Sequence, residues 1–263
     1  GRGRAYGSAH VGWRRVTTGL QVLLAVLATA VLSMPLYAFT GATRRPDSLA
    51  SDAQGTFVLG PFVRGWFFWA VSPAVRLSVA VGLGPTFHNL LGVAFGIGAG
   101  VAFALGHVTL GGWGVLLGGV ADVLDGRVAR SMAVADRTGA FLDSTLDRFS
   151  EVGTFVGLAV LFRSSALPLA LAVTAMGGSL LVSYARARGE SQGVVCKLGI
   201  MQRAERLLLL GFGGLLDPTV SGLWGEGRVG TLLVPILGLV AVSTVGTAIF
   251  RTVWIARVLR AGD

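Results

Sequence analysis

The chain has 263 residues, 53% of them hydrophobic and 13% charged, and its net charge of +9 is almost all arginine. A mean hydropathy of +0.72 and half the charged fraction of an ordinary soluble domain, which is about 25%, exclude a soluble globular protein and indicate an integral membrane protein. No soluble basic domain is left to hold nucleic acid, and the single cysteine, Cys196, excludes an internal disulfide.

Apolar runs fall at about 17–39, 61–83, 86–106, 108–124, 139–162, 165–185, 200–217 and 229–255, lengths that suit membrane helices of about 20 residues. The first run follows a basic start (Arg2, Arg4, Arg14, Arg15) but is long for the apolar part of a signal peptide. Segment 40–60 is the only long polar linker, so residues 1–60 are expected to form an N-terminal appendage with one hydrophobic helix. Run 61–83 carries Arg64, Arg76 and Pro73, with Trp66, Phe67, Phe68 and Trp69 crowded at one end. Arginines beside clustered aromatics favour a helix lying in the headgroup layer.

Arginine placement predicts the orientation. The stretch 125–137 holds Arg127, Arg130 and Arg137, region 186–203 holds Arg186, Arg188, Lys197 and Arg203, and the tail holds Arg251, Arg257 and Arg260. The alternate connections hold only Arg163 and Arg228. By the positive-inside rule this is a multi-pass protein of the cell membrane whose C-terminus and 125–137 region face the cytoplasm. One point stays open: an interfacial 61–83 puts the basic N-terminus outside, whereas a spanning 61–83 returns it inside. Many of the 40 glycines lie within the runs, as expected where small residues let helices approach closely.

Against this apolar background, ADVLDGRVARSMAVADRTGAFLDSTLDR places four aspartates at Asp122, Asp125, Asp143 and Asp147. On helices each pair shares a face, at i, i+3 and i, i+4, and the polar connection from about Arg130 to Thr138 lets two helices turn back so that the carboxylates converge. Buried carboxylates are costly unless a charge compensates them, and one or two divalent ions suit such hard oxygen ligands. Gly126 and Ala129 remove bulk from the same face, and Arg130 offers a fixed cation for phosphate oxygens. Asp136 reads as a solvated loop residue. His88 reads as a helix-entry residue and not a metal ligand.

The full pattern is Asp122-x2-Asp125-Gly126-x2-Ala129-Arg130-x8-Gly139-x3-Asp143-x3-Asp147. In order and spacing it resembles the defining motif of the CDP-alcohol phosphotransferase family, with all eight fixed positions matched. The resemblance runs from about residue 61 to the C-terminus and implies a 61–263 membrane domain: an all-α fold of six core transmembrane helices preceded by an interfacial helix, commonly a homodimer. The extra N-terminal hydrophobic helix lies outside it. The resemblance also implies that Asp122, Asp125, Asp143 and Asp147 hold Mg²⁺ or Mn²⁺, as two ions, against a CDP-linked donor such as CDP-diacylglycerol. Asp147 would be the catalytic base on the acceptor hydroxyl. Asp122, Gly126, Ala129, Arg130 and Gly139 would bind the donor.

Two later stretches, SYARARGE (183–190) and GIMQRAERLLLLG (199–211), are similar to the acceptor region of the family's prokaryotic phosphatidylinositol-phosphate synthases. There an S-Y-x-[KR]-A-[RK] segment precedes R-x-E-R. Carried over, Arg186, Arg203 and Arg206 would grip the phosphate of a phosphorylated polyol, with inositol phosphate the expected acceptor. A neutral acceptor would not need so much positive charge. Glu190 and Glu205 are candidate partners of these arginines. Glycerol 3-phosphate, the acceptor of a phosphatidylglycerophosphate synthase, is the rival within the class. A divalent-cation transporter or sensor would also use four aspartates but would leave Gly126, Ala129 and Arg130 without a purpose.

Overall fold

Every apolar run becomes a helix, because a chain in a bilayer must satisfy its backbone polar groups within each segment. The computed structural model describes residues 5–40, 60–196, 198–224 and 227–262, with side chains from residue 20 onward. Arg2, Arg4, Lys197, most of the 40–60 linker, and the side chains of Arg14 and Arg15 lie outside the described residues. Eight helices are described: α1 (Ala5–Phe39), α2 (Gly60–Ala80), α3 (Pro85–Ala104), α4 (Val108–Ser131), α5 (Arg137–Leu161), α6 (Ala166–Glu190), α7 (Arg203–Trp224) and α8 (Leu233–Gly262).

Six of these are long and apolar enough to cross a membrane, the apolar part of α1 (Leu20–Phe39) and α3, α4, α6, α7 and α8. Set against the six core helices expected from the sequence, α5 drops out and α1 enters. The reason is chemical: α5 carries Asp143, Asp147, Arg148 and Glu151, charges that would be costly against lipid. The bundle solves this by packing α5 along α3 and against α6. The core of α3–α8 is therefore built as expected.

Glycine sets how closely the helices cross. A Cβ on Gly100 of α3 would run into the backbone carbonyl of Gly153 on α5, and one on Gly157 would run into Gly100. That contact leaves Thr154 Oγ1 3.1 Å from the Gly96 carbonyl, to which it donates. In lipid, with no hydrophobic force between helices, such close packing and hydrogen bonding hold the bundle. The same device joins α4 to α7, where a Cβ on Gly112 would stand 2.6 Å from the Gly211 carbonyl. α8 packs on α6, and Arg251 of α8 donates to the carbonyls of Leu198 (2.8 Å) and Val182 (3.1 Å).

The apolar core, including Phe103, Val115, Phe155, Leu158, Ala175, Leu210 and Leu237, fills the half of the bundle where α3 ends and α4 begins. Asp217 closes that end. Fully buried, it accepts from the backbone N–H groups of Gly230, Leu232 and Leu233 at 2.8–3.0 Å, so its charge is spent capping the start of α8. The opposite half, where α4, α6 and α8 end and α5 and α7 begin, is the polar one.

α1 is tied to α2: Trp66 Nε1 donates to Ser33 Oγ at 2.8 Å, and the Tyr37 and Phe62 rings meet edge to face with centroids 5.6 Å apart. α2 in turn meets α4, where the Arg127 guanidinium lies over the Phe68 ring, 4.7 Å from its centroid.

Candidate active site

The aspartates sit on either side of one tight turn. α4 runs on through Ser131, so the polar connection is shorter than the sequence suggests, residues 132–136. The chain reverses as Ala133 N–H donates to the Arg130 carbonyl (3.2 Å) and Val134 N–H to the Ala129 carbonyl (3.0 Å), a helix-ending arrangement that usually has glycine at its left-handed position. Here that position is Ala133, with φ of 55°. Asp136 is not merely solvated. Its carboxylate accepts from Gly139 N–H at 2.6 Å as the N-cap of α5.

α4 delivers Asp122 and Asp125, and α5 delivers Asp143 and Asp147. Carboxylate oxygens of Asp122, Asp143 and Asp147 all lie within 4.8 Å of one another, close enough to share a metal ion. Asp125, 5% exposed, is joined to this trio through a residue that the sequence reading passed over. The Asn89 amide, from the first turns of α3, reaches Asp143 Oδ1 at 3.1 Å and Asp125 Oδ2 at 2.5 Å. The amide is assigned with its nitrogen towards them, since both partners are acceptors and an oxygen there would find no donor.

Arg203, at the start of α7, enters the same cluster. Its Nη1 lies 2.6 Å from Asp122 Oδ1 and its Nη2 2.6 Å from Asp147 Oδ1, so one planar guanidinium spans carboxylates from two helices. Its Nε is buried with no hydrogen-bond partner among the described residues. Arg206 lies one turn further along α7 and is 2% exposed. It is committed to Glu151 of α5, with Nε at 2.8 Å and Nη2 at 2.7 Å from Glu151 Oε1. Glu151 Oε2 also stands 3.5 Å from Arg148 Nη1. Arg186 is exposed and pairs with Glu190 across one turn of α6 at 2.8 Å. Glu205 forms an ion pair with none of these three arginines; it accepts from Gln202 N–H at 2.9 Å at the start of α7.

Of the small residues of the motif, Gly126 stands beside Arg130 and Gly139 beside the Asp136 carboxylate. Gly126 leaves room beside the Arg130 guanidinium, which a Cβ there would approach to 3.5 Å, and Arg130 itself is exposed at the end of α4. His88 is buried and takes no part: its ring nitrogens lie 3.0 Å from Ser78 Oγ and 3.1 Å from the Gly84 carbonyl. The site therefore offers hard oxygen donors, a bridging guanidinium and an exposed arginine along one helix end. That set suits metal-assisted chemistry on phosphate.

Known proteins are similar to this chain in sequence and in fold. The phosphatidylinositol phosphate synthase of Streptomyces avermitilis is 34% identical over 218 residues, 79% of this chain and 86% of that protein. The crystal structure of Mycobacterium tuberculosis phosphatidylinositol phosphate synthase with CDP-DAG bound is similar with a TM-score of 0.62 at 28% identity, covering 70% of this chain and 92% of that one. The same enzyme in complex with manganese and citrate gives a TM-score of 0.61 at 30% identity, over 69% and 88% of the two chains. The family model for CDP-alcohol phosphatidyltransferases matches residues 85–243, from the start of α3 into α8 and across every aspartate of the cluster. The chain is a multi-pass membrane protein of the CDP-alcohol phosphatidyltransferase family.

Proposed function

We propose that the protein transfers the phosphatidyl group of CDP-diacylglycerol to a hydroxyl of inositol phosphate and releases CMP. The observation that carries this reading is the meeting of Asp122, Asp143 and Asp147 with Arg203 between two of them. It joins a metal-binding trio to a cation suited to a phosphorylated acceptor.

The residues fit divalent ions, Mg²⁺ or Mn²⁺, because the donors are carboxylate oxygens held close by two helices. Asp122, Asp125, Asp143 and Asp147 would hold two of them. When bound, such ions neutralise phosphate charge and favour departure of CMP. Arg130 meets the donor phosphates, with Gly126, Ala129 and Gly139 leaving the path clear beside it. Arg203 and the exposed Arg186 grip the acceptor phosphate, and Arg206, held by Glu151, supports Arg203 from one turn below. Asp147 takes the proton of the acceptor hydroxyl. The hydroxyl oxygen then bonds to the phosphorus that carries the diacylglycerol, and the bond from that phosphorus to CMP breaks. An aspartate is a modest base for an alcohol, so placement must supply much of the rate.

The same reading puts the polar end on the cytoplasmic face of the cell membrane. That end carries Arg130, Arg137, Arg186, Arg188, Arg203, Arg257 and Arg260, against Arg163 and Arg228 at the other. It also takes the unit to be a homodimer, with residues 1–60 as an appendage to the 61–263 domain.

The test is CMP release from CDP-diacylglycerol in detergent with Mn²⁺ or Mg²⁺. Inositol phosphate, glycerol 3-phosphate, inositol and serine are compared, with Asp147→Asn as control. Release with inositol phosphate alone, lost in the variant, is the expected result. Equal release with free inositol would sink the phosphate grip, and release with glycerol 3-phosphate alone would reassign the acceptor.

A further inference from the structure

We infer that Asn89 is a positioning residue of the metal site, the tie that keeps Asp125 of α4 and Asp143 of α5 aligned as one pair of ligands. The inference rests on the metal-dependent reading above and adds a third helix to the site.

Three features build it. The first is the contact itself. With the amide assigned so that its nitrogen faces the acceptors, its two hydrogens meet carboxylates at 3.1 and 2.5 Å on different helices. The second is reach. Asn89, Gly92, Gly96 and Gly100 share a face of α3 by helical spacing. At Gly92 an added Cβ would stand 3.7 Å from Ala121 Cβ and the Gly118 carbonyl of α4, while one at Gly96 would strike Ser150 of α5. The stripe sinks α3 into the cleft between α4 and α5, so a side chain as short as asparagine spans both carboxylates. The third is anchorage. Next to Asn89, His88 is buried and held on both ring nitrogens, and Ser150 Oγ donates to the Gly92 carbonyl one turn on, at 3.4 Å. The backbone that presents the amide is therefore fixed against α5 and against the residues preceding α3.

Two carboxylates that face each other from separate helices repel, and each can rotate away. An amide that donates to both sets the distance between them and the direction in which their remaining oxygens point. Asn89 touches neither substrate nor reacting atoms in this role; it acts through the ligands, as groups that orient metal ligands do elsewhere.

The experiment is a Mn²⁺ titration of the purified full-length protein in detergent, with free Mn²⁺ followed by electron paramagnetic resonance. Asn89→Leu, which keeps the size and removes the donor, should raise the Mn²⁺ dissociation constant about ten- to a hundredfold. Asn89→Ala serves if the leucine variant does not yield folded protein. In the Asp125→Asn background the same change should cost less than it does in wild type, because the carboxylate it orients is gone. A merely structural role would cost the same in both. Wild-type protein that takes up no Mn²⁺ overturns the metal reading together with this one. Wild type that binds Mn²⁺, with Asn89→Leu binding as tightly or with fully additive effects, overturns the role of Asn89 alone.

Discussion

Glu151 and Arg206 form a buried ion pair one helical turn below Asp147 and Arg203. Glu151 is 5% and Arg206 2% exposed, and their shortest contact is 2.7 Å. Because Asp147 and Glu151 are four residues apart on α5, and Arg203 and Arg206 three apart on α7, the two pairs stack as rungs between those helices. The lower rung holds the upper in place. Glu151→Ala leaves Arg206 as an unpaired buried cation and should destabilise the protein by about 3–5 kcal/mol, whereas replacing both residues with leucine should cost far less. Thermal unfolding in detergent separates the two outcomes.

Arg203 tests the acceptor grip. Removing a hydrogen bond to a charged group is worth about 1.5–3 kcal/mol, so Arg203→Ala should raise KM for inositol phosphate roughly 10- to 100-fold. Steady-state kinetics with varied acceptor and with varied donor would check it. A variant that affects both substrates equally, or neither, contradicts the assignment.

Ala133 occupies the left-handed position of the turn that joins α4 to α5. A residue with a Cβ is strained there by about 1–2 kcal/mol, and the residue is exposed, so nothing in the packing requires alanine. Ala133→Gly should therefore raise stability by about 1 kcal/mol, seen as a higher unfolding temperature.

At the α3–α5 crossing the expectation runs the other way. Gly157→Ala drives a Cβ into Gly100, an overpacking that typically costs about 1–3 kcal/mol. The two helices carry Asn89, Asp143 and Asp147, so weaker Mn²⁺ binding should accompany the loss of stability. Titration and unfolding of the same sample would show both or neither.

No residue assigned to the chemistry lies in α1, and the family model begins only at residue 85. Protein lacking residues 1–59 should keep CMP release, although the Trp66–Ser33 bond is lost. Loss of activity in folded, truncated protein would make α1 part of the working unit.

The motif was legible because its aspartates lie on two consecutive helices, where i, i+3 and i, i+4 spacing translates directly into a shared face. Asn89 was not, since it reaches the cluster from a third helix and its sequence neighbours give no hint of carboxylate partners. Glu151 could have been found: it continues the four-residue step from Asp143 through Asp147. The three arginines looked alike in sequence, yet one bridges the aspartates, one is locked to Glu151 and one sits at the surface. Burial and partners, which depend on how α5 meets α7, separate them. Asp136 and Asp217 were hidden for a simpler reason, since their roles as caps appear only once a helix start is placed against them.

Arg203 has a consequence for how such a chain comes to exist in a membrane. Each aspartate set near the middle of a membrane helix adds roughly 2.5–3.5 kcal/mol to the cost of insertion. The guanidinium that spans Asp122 and Asp147 is encoded in the polypeptide and arrives with α7, the second helix made after α5. The bundle thus carries part of its own counter-charge from synthesis, in place before any ion is bound.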